Sequence, residues 1–476
     1  MYEDIKLYID GAFTDGASGI TEAVLNPATG AVLGAVCHAK QAELDSAAAA
    51  AEKGYAVWRK MPPFERYKIM RSAADLLRAR AEDIARVMTL EQGKINAEAK
   101  IEVLTSADVI DFLAEEGKRA YGRMIPARAD GIRQMVIPEP VGIVAGFSPW
   151  NFPVSQAARK IGAALAAGCA IILKCPEETP GAPLGLVRCF HDAGLPAGVL
   201  NLIYGVPSEL SEYLIPHPSI RKISFTGSVP VGKQLAALAG AHMKRATMEL
   251  GGHAPVLVFD DVDVDRVADL TSGLKWRNAG QVCISPTRFF LHRKIYDDFV
   301  AKFVDIAKTT KVGDGMDPES KMGPLANTRR VNAMEDIIAD AQEKGAKVVA
   351  GGSRIGNQGN YFAPTVLTDV PENAWIMSEE PFGPVAVMMP FSDTDDVLER
   401  ANKLPYGLAS YAFTHDTSRA FKVAERLDHG MVSINHHGLG VPETPFGGVK
   451  DSGYGHEQSI EGLHAYMSFK FVSQMG

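Results

Sequence analysis

Cysteine is scarce in this chain and is not arranged as a framework. The five cysteines, Cys37, Cys169, Cys175, Cys189 and Cys283, are odd in number and form no CxxC pair. That excludes a disulfide-stapled secreted scaffold and predicts free thiols in a reducing, cytoplasmic setting. No HExxH occurs either, so no metal site is expected. Long apolar runs are missing: the longest, Ile161 to Leu173, is too short to span a bilayer. The polar, acidic start MYEDIKLYIDG is unlike a secretory or transit peptide. Positive charge is in deficit, and a net charge of -8 repels nucleic acid and anionic membranes alike. Any anionic ligand must therefore be drawn in by local cations. Apolar residues are not lacking: at 46% of 476 residues they exclude disorder and leave room for about three domains.

Residues 41 to 118 place apolar side chains at three and four spacing, as in ELDSAAAAAEKGYAVW and RYKIMRSAADLLRARAEDIARVM, which predicts helices covering a sheet. From 141 short β-type runs alternate with helical ones: VGIVAGF, SQAARKIGAALAAG, AIILK, VLNLIYG, RKISFTG and VGKQLAALAG. Strand and helix in repetition predict a doubly wound α/β unit that holds a nucleotide beyond the carboxyl ends of its strands. A second α/β alternation runs from APVLVFDD near 253 to MVSIN near 431. Residues 119 to 140 read as a projecting hairpin, and HAYMSFKFVSQMG as a strand whose apolar edge needs covering by another chain or domain. The division expected is a dinucleotide-binding domain of 1–118 and 141–251, a catalytic domain of 252–445, and oligomerisation segments 119–140 and 456–476 in a homodimer or homotetramer.

Two segments carry chemistry. MELGGHAP sets Glu249 beside two glycines, and KWRNAGQVCISPTR centres on Cys283. A thiolate attacks a carbonyl well, and a nearby carboxylate can activate the water that releases the product. A free cysteine taken alone is more often a small buried apolar residue. FTGSVPVGKQ nearly completes a P-loop through Gly227, Gly232 and Lys233, but Gln234 stands where Ser or Thr must hold magnesium. What survives is a helix N-terminus with Ser228 as a hydroxyl donor, a seat for a pyrophosphate. In KCPEETP, Glu177 follows the strand AIILK, where a carboxylate can accept from ribose hydroxyls and repel a 2'-phosphate, favouring NAD over NADP. No GxGxxG follows the first strand. FSPWNFP presents Asn151, an amide donor suited to an oxyanion.

FSPWNFP, KCPEETP, FTGSVPVGK, MELGGHAP, GQVC, EEPFGPV and PFGGVKDSG together resemble the aldehyde dehydrogenase superfamily, in its order and over nearly the whole chain. The resemblance implies Cys283 as nucleophile, Glu249 as general base and Asn151 as oxyanion donor. It places Phe147, Trp150, Lys174, Glu177, Gly227, Ser228, Glu380 and Phe382 on the cofactor, NAD with NADP as the alternative. It also accounts for the missing GxGxxG, since this family binds the pyrophosphate differently. Arg159, about 10 Å along the following helix from Asn151, and Arg277, six residues before Cys283, match arginines of succinate-semialdehyde dehydrogenases. With Gln156 and Ser285 they are the expected substrate contacts. The wording is similar to the 2-oxoglutarate-semialdehyde branch, which implies an ω-carboxylated semialdehyde; a broad-specificity aldehyde dehydrogenase is the alternative. His436 and His437 fall where relatives face the substrate tail, or on the surface. A cysteine hydrolase would need a histidine, for which His253 is the close candidate in sequence, and a non-catalytic binding protein on the same fold is the third class.

Overall fold

The computed structural model of the chain describes Tyr2 and residues 5–476. Its larger sheet runs, in spatial order, Ala12–Thr14, Leu7–Ile9, Leu200–Ile203, Ala170–Lys174, Ile143–Phe147, Ile220–Thr226, Arg245–Glu249 and Gly453–Tyr454. The five central strands are parallel. In chain order they read 3-2-1-4-5, so the order reverses between Ile143–Phe147 and Ile220–Thr226. Such a switch point opens a crevice at the carboxyl ends of the strands. The loops FSPWNFP and FTGS flank it.

The strands Ile143–Phe147 and Ala170–Lys174 are buried along their whole length, as parallel strands covered on two faces must be. The helix Pro153–Ala167 begins with proline at its first position and ends at Gly168, whose φ of 92° suits a left-handed cap. The helices Gln41–Trp58, Pro63–Ala79, Ala81–Gln92 and Asn96–Gly117 pack on this sheet and its helices in one apolar core.

A second sheet, Lys347–Ala350, Thr365–Thr368, Val385–Phe391, Pro286–His292, Ala254–Val258, Ala409–Phe413 and Met431–Ile434, has its own core. It is parallel except at the edge strand Lys347–Ala350. The third unit is a three-stranded antiparallel sheet, Arg123–Ile125, Ile132–Pro140 and Met467–Met475. Phe469 and Phe471 stand exposed on it. No helix among the described residues is long and apolar enough to cross a membrane.

Candidate active site

A cavity of about 460 Å³ lies where the carboxyl edge of the larger sheet meets the second sheet, and Asn151, Gln156, Glu249 and Cys283 all line it. Glu249 is the last residue of its strand, Asn151 follows the strand Ile143–Phe147, and Cys283 precedes the strand Pro286–His292. The three residues implied as catalytic therefore come from two sheets and converge on one space.

A buried polar network clamps their loops together. The Asn151 amide donates to the Gln281 carbonyl at 3.1 Å, two residues before Cys283, which leaves its other N–H available. The Asn151 carbonyl accepts from Lys94 Nζ at 2.7 Å and from Asn278 Nδ2 at 2.9 Å. Lys94, fully buried, also pairs with Glu102 at 2.5 Å, and the other Glu102 oxygen accepts from the Val154 and Ser155 amides that open the next helix. Asn278 and Ala279 hold left-handed backbone with φ of 49° and 51°, a strained conformation for residues with a Cβ. Asn278 is fixed through Gln92 and through Glu98, which accepts its amide.

The electrostatics keep protons on the acids. Burial holds the Glu249 carboxyl well above its ordinary range, reinforced by Glu457 and opposed by Lys160 and Arg159. Neither Glu249 oxygen has a hydrogen-bond partner. Glu457 accepts from Lys160 Nζ, which also donates to Thr226 Oγ1 at 2.6 Å. Burial and the Glu380 and Glu249 carboxyls push the Cys283 thiol up to about 12, against Arg159 and Arg277. Glu380 is itself pushed up to about 8 by burial.

Arg159 is 8% exposed, and its Nε and Nη1 find no hydrogen-bond acceptor. The nearest carboxylate oxygen, Glu457 Oε2, is 4.0 Å away and has no hydrogen-bond partner, while the other oxygen of that carboxylate is engaged by Lys160. Its guanidinium lies 4.2 Å from the Phe446 ring, and Arg277 lies 5.1 Å from Phe152. Arg277 Nε is likewise unpartnered. Neither arginine touches the cavity wall directly, yet the fields of both reach the Cys283 sulfur.

Next to this cavity runs a cleft of about 1540 Å³ bordered by Phe147, Trp150, Lys174, Glu177, Gly227 and Ser228. Glu177 is held at both oxygens, by Lys174 at 2.8 Å and by the Gly205 amide at 2.9 Å. Ser228 caps the helix Val229–Ala241 by position and lines the cleft, but it makes no capping hydrogen bond, which leaves the Val229 and Val231 amides uncapped by it, Pro230 having none. A Cβ on Gly227 would strike the Phe225 ring at 2.5 Å. Glu380 and Phe382 line the smaller cavity, with Trp150 edge-on to Phe382 at 5.6 Å between centroids. Length, uncapped amides and an anchored carboxylate fit a dinucleotide with its diphosphate on the helix and a ribose at Glu177.

Other sequence candidates stand outside the smaller cavity. Ser285 does not line the cavity; its hydroxyl faces Lys275 at 3.3 Å. His253 turns away, with Nε2 2.8 Å from the Ile376 carbonyl, and burial drives its pKa well below the ordinary value. It is thus no partner for Cys283, and the hydrolase reading loses its histidine. His436 and His437 are exposed and border a surface hollow with Asp263, Asp265 and Asp269. Lys233 pairs with Asp451 on the surface. The residues unread in the sequence are Lys94, Glu102, Lys160, Glu457, Phe446 and the pair Arg329 and Arg330. Of these only Lys160 carried a signal, a charge inside the apolar stretch ARKIGAAL.

The model of the aldehyde dehydrogenase family matches residues 13–472. The 4-(hydroxymethyl)benzenesulfonate dehydrogenase TsaD1 of Comamonas testosteroni is 47% identical over 99% of this chain and 98% of its own length. The NADP(+) succinate-semialdehyde dehydrogenase GabD of Escherichia coli is 42% identical over 98% of this chain and 96% of its own. The NAD+ complex of an aldehyde dehydrogenase from Bacillus cereus superposes with a TM-score of 0.97 at 36% identity, covering 99% of this chain and 97% of that one. The chain belongs to the aldehyde dehydrogenase family and is an oxidoreductase that acts on aldehydes with NAD or NADP.

Proposed function

We propose that the substrate is an aldehyde with an anion at its far end, an ω-carboxylated semialdehyde of four or five carbons such as succinate semialdehyde or 2-oxoglutarate semialdehyde. One observation carries this: two guanidiniums near the thiol, Arg159 and Arg277, have N–H groups without an acceptor. A cation so placed is costly unless the ligand brings the counter-charge. Gln156, in the cavity wall, would orient the chain between them. A sulfonate is the second reading, favoured because three oxygens can serve two guanidiniums at once and because one relative is named for a benzenesulfonate.

In this reading Cys283 attacks the aldehyde carbon as thiolate, forming a thiohemiacetal. The oxyanion is met by the free N–H of Asn151 and the Cys283 amide. The bound cofactor supplies the hydride acceptor. Oxidation leaves the acyl group on Cys283 as a thioester, and Glu249 takes a proton from the water that releases the acid. Glu249 must first lose its own proton, and Glu457 with Lys160 stands next to it.

Glu177 supports a preference for NAD, since its anchored carboxylate would repel a 2'-phosphate. Phe469 and Phe471 support a homodimer or homotetramer formed through the three-stranded sheet. Five free cysteines suit a reducing compartment. The test is a panel of succinate semialdehyde, 2-oxoglutarate semialdehyde, 4-formylbenzenesulfonate and butanal with NAD and with NADP. Equal kcat/KM for butanal and succinate semialdehyde removes the anion from the reading.

A further inference from the structure

We propose that Arg329 is a cofactor-binding residue supplied from the far side of the cleft and that Glu178 is its resting partner. The guanidinium leaves Glu178 for the diphosphate of the dinucleotide, so the ion pair sets how tightly the cofactor is held. This rests on the reading of the cleft as the dinucleotide site.

Arg329 sits in the first turn of the helix Thr328–Glu343, beyond the second sheet's strand Pro286–His292, whereas Glu178 follows the strand Ala170–Lys174 of the larger sheet. Their side chains meet at 2.5 Å across the cleft. Arg329 borders both the cleft and the smaller cavity, as do Gly227 and Ser228 at the helix N-terminus opposite. It therefore stands where the two spaces join, over the expected path of the diphosphate.

The other cations of these walls are committed to the fold. Lys174 holds Glu177, Arg330 donates to the Pro381 and Phe382 carbonyls, and Arg354 donates to the Gly359 carbonyl at 2.8 Å. Arg329 has a single carboxylate partner and a side chain 78% exposed, so it moves without disturbing the core. The cleft is otherwise acidic, with Glu22, Glu177 and Glu212 on its wall. A diphosphate entering it needs a cation, and guanidinium can bind phosphate oxygens in two-pronged fashion, whereas Glu178 meets it through one Nη2–Oε1 contact. Exposed ion pairs are weak, of a size the ligand can replace.

The experiment titrates NADH into the enzyme without aldehyde and follows quenching of protein fluorescence for wild type, Glu178→Gln, Arg329→Gln and the double variant. Freed from its competitor, Arg329 in Glu178→Gln should bind NADH about threefold tighter. Arg329→Gln should bind about tenfold weaker, one charge-assisted contact being lost. The double variant should match Arg329→Gln, because Glu178 acts only through Arg329. Glu178→Gln binding no tighter than wild type, or keeping its gain when Arg329 is gone, overturns the exchange. A wild-type enzyme that does not bind NADH overturns the cofactor reading itself. Both residues are at the surface of the cleft, so neither change threatens folding.

Discussion

Replacing Arg159 by leucine separates the two jobs its charge performs. The guanidinium is 8% exposed, has Nε and Nη1 unsatisfied, and has no carboxylate oxygen nearer than 4.0 Å. A substrate carboxylate that reaches past Phe446 of the cavity wall to both N–H groups gains two hydrogen bonds to a charged donor at about 1.5 kcal/mol or more each, so their loss costs about 3 kcal/mol or more. In kcat/KM that is a fall of about a hundredfold for succinate semialdehyde. Arg159 also lowers the pKa of Cys283. Its loss raises the thiol further and slows attack on every aldehyde, charged or not.

Butanal reports that second effect alone. We expect the ratio of kcat/KM for succinate semialdehyde over butanal, followed by NADH absorbance at one pH, to drop about a hundredfold in Arg159→Leu. Lysine at this position should restore part of the ratio, since it returns the charge without the planar fork. Equal losses for both aldehydes refute the reasoning, because Arg159 would then act through the thiol or the packing on Phe446 and not on the tail.

Asn151→Ala removes one oxyanion donor and should lower turnover about a hundredfold with NADH binding unchanged; unaltered turnover, where chemistry is rate-limiting, removes Asn151 from the mechanism. With the Cys283 thiol pushed up to about 12, alkylation by iodoacetamide in the cofactor-free enzyme should climb with pH without levelling off below about pH 10. A plateau near neutrality would show a thiolate already formed. Glu380 has a folded pKa of about 8 against an ordinary 4.5, so folding takes up a proton: its contribution to stability is complete below 4.5 and is lost as pH rises through about 8. Melting temperature should therefore fall less between about pH 6 and about pH 9 in Glu380→Gln than in wild type, and parallel curves would place the buried acid elsewhere.

The parallel sheets were legible because buried strands such as AIILK and VGIVAGF are short apolar runs between helical patterns. The first hairpin was not read, although Asp10 and Gly11, with φ of 51° and 78°, are the left-handed pair of a tight turn joining Leu7–Ile9 to Ala12–Thr14. The strand Arg245–Glu249 also went unread, its arginine and threonine obscuring the period, though its end fixes where Glu249 points. At the site, Asn151 and Cys283 stand in loops, and Glu249 at a strand end, each within its own signature. Glu457 has none. It matters because Lys160 pairs with it across 297 residues, a contact that only the closed fold creates. Lys94 and Glu102 escaped for a related reason: a helical pattern reads both as solvated, whereas both are buried against the loop that presents Asn151.

A net charge of -8 looks ill suited to a protein that receives a diphosphate, a substrate anion and a developing oxyanion. The placement of charge resolves this. Acids crowd the thiol, and burial keeps Glu249 and Glu380 protonated, so they add little negative charge while neutral, and Glu249 can take a proton from water only after losing its own. Cations are held close by: Arg159 against Phe446 of the cavity wall, Arg277 against Phe152, Lys160 on Glu457. Each anion thus meets a local positive field, while the surface average stays negative and repels other polyanions. The same arrangement sets an order of events. An anionic substrate tail neutralises the two arginines that favour the thiolate, which makes Cys283 harder to ionise once substrate is bound. Ionisation is therefore best completed before the aldehyde arrives. Pre-incubation with NAD+ should then speed alkylation of Cys283, and succinate, as a tail analogue, should slow it beyond simple occlusion seen with butyramide. Equal protection by succinate and butyramide would show that the arginine fields do not govern the thiol.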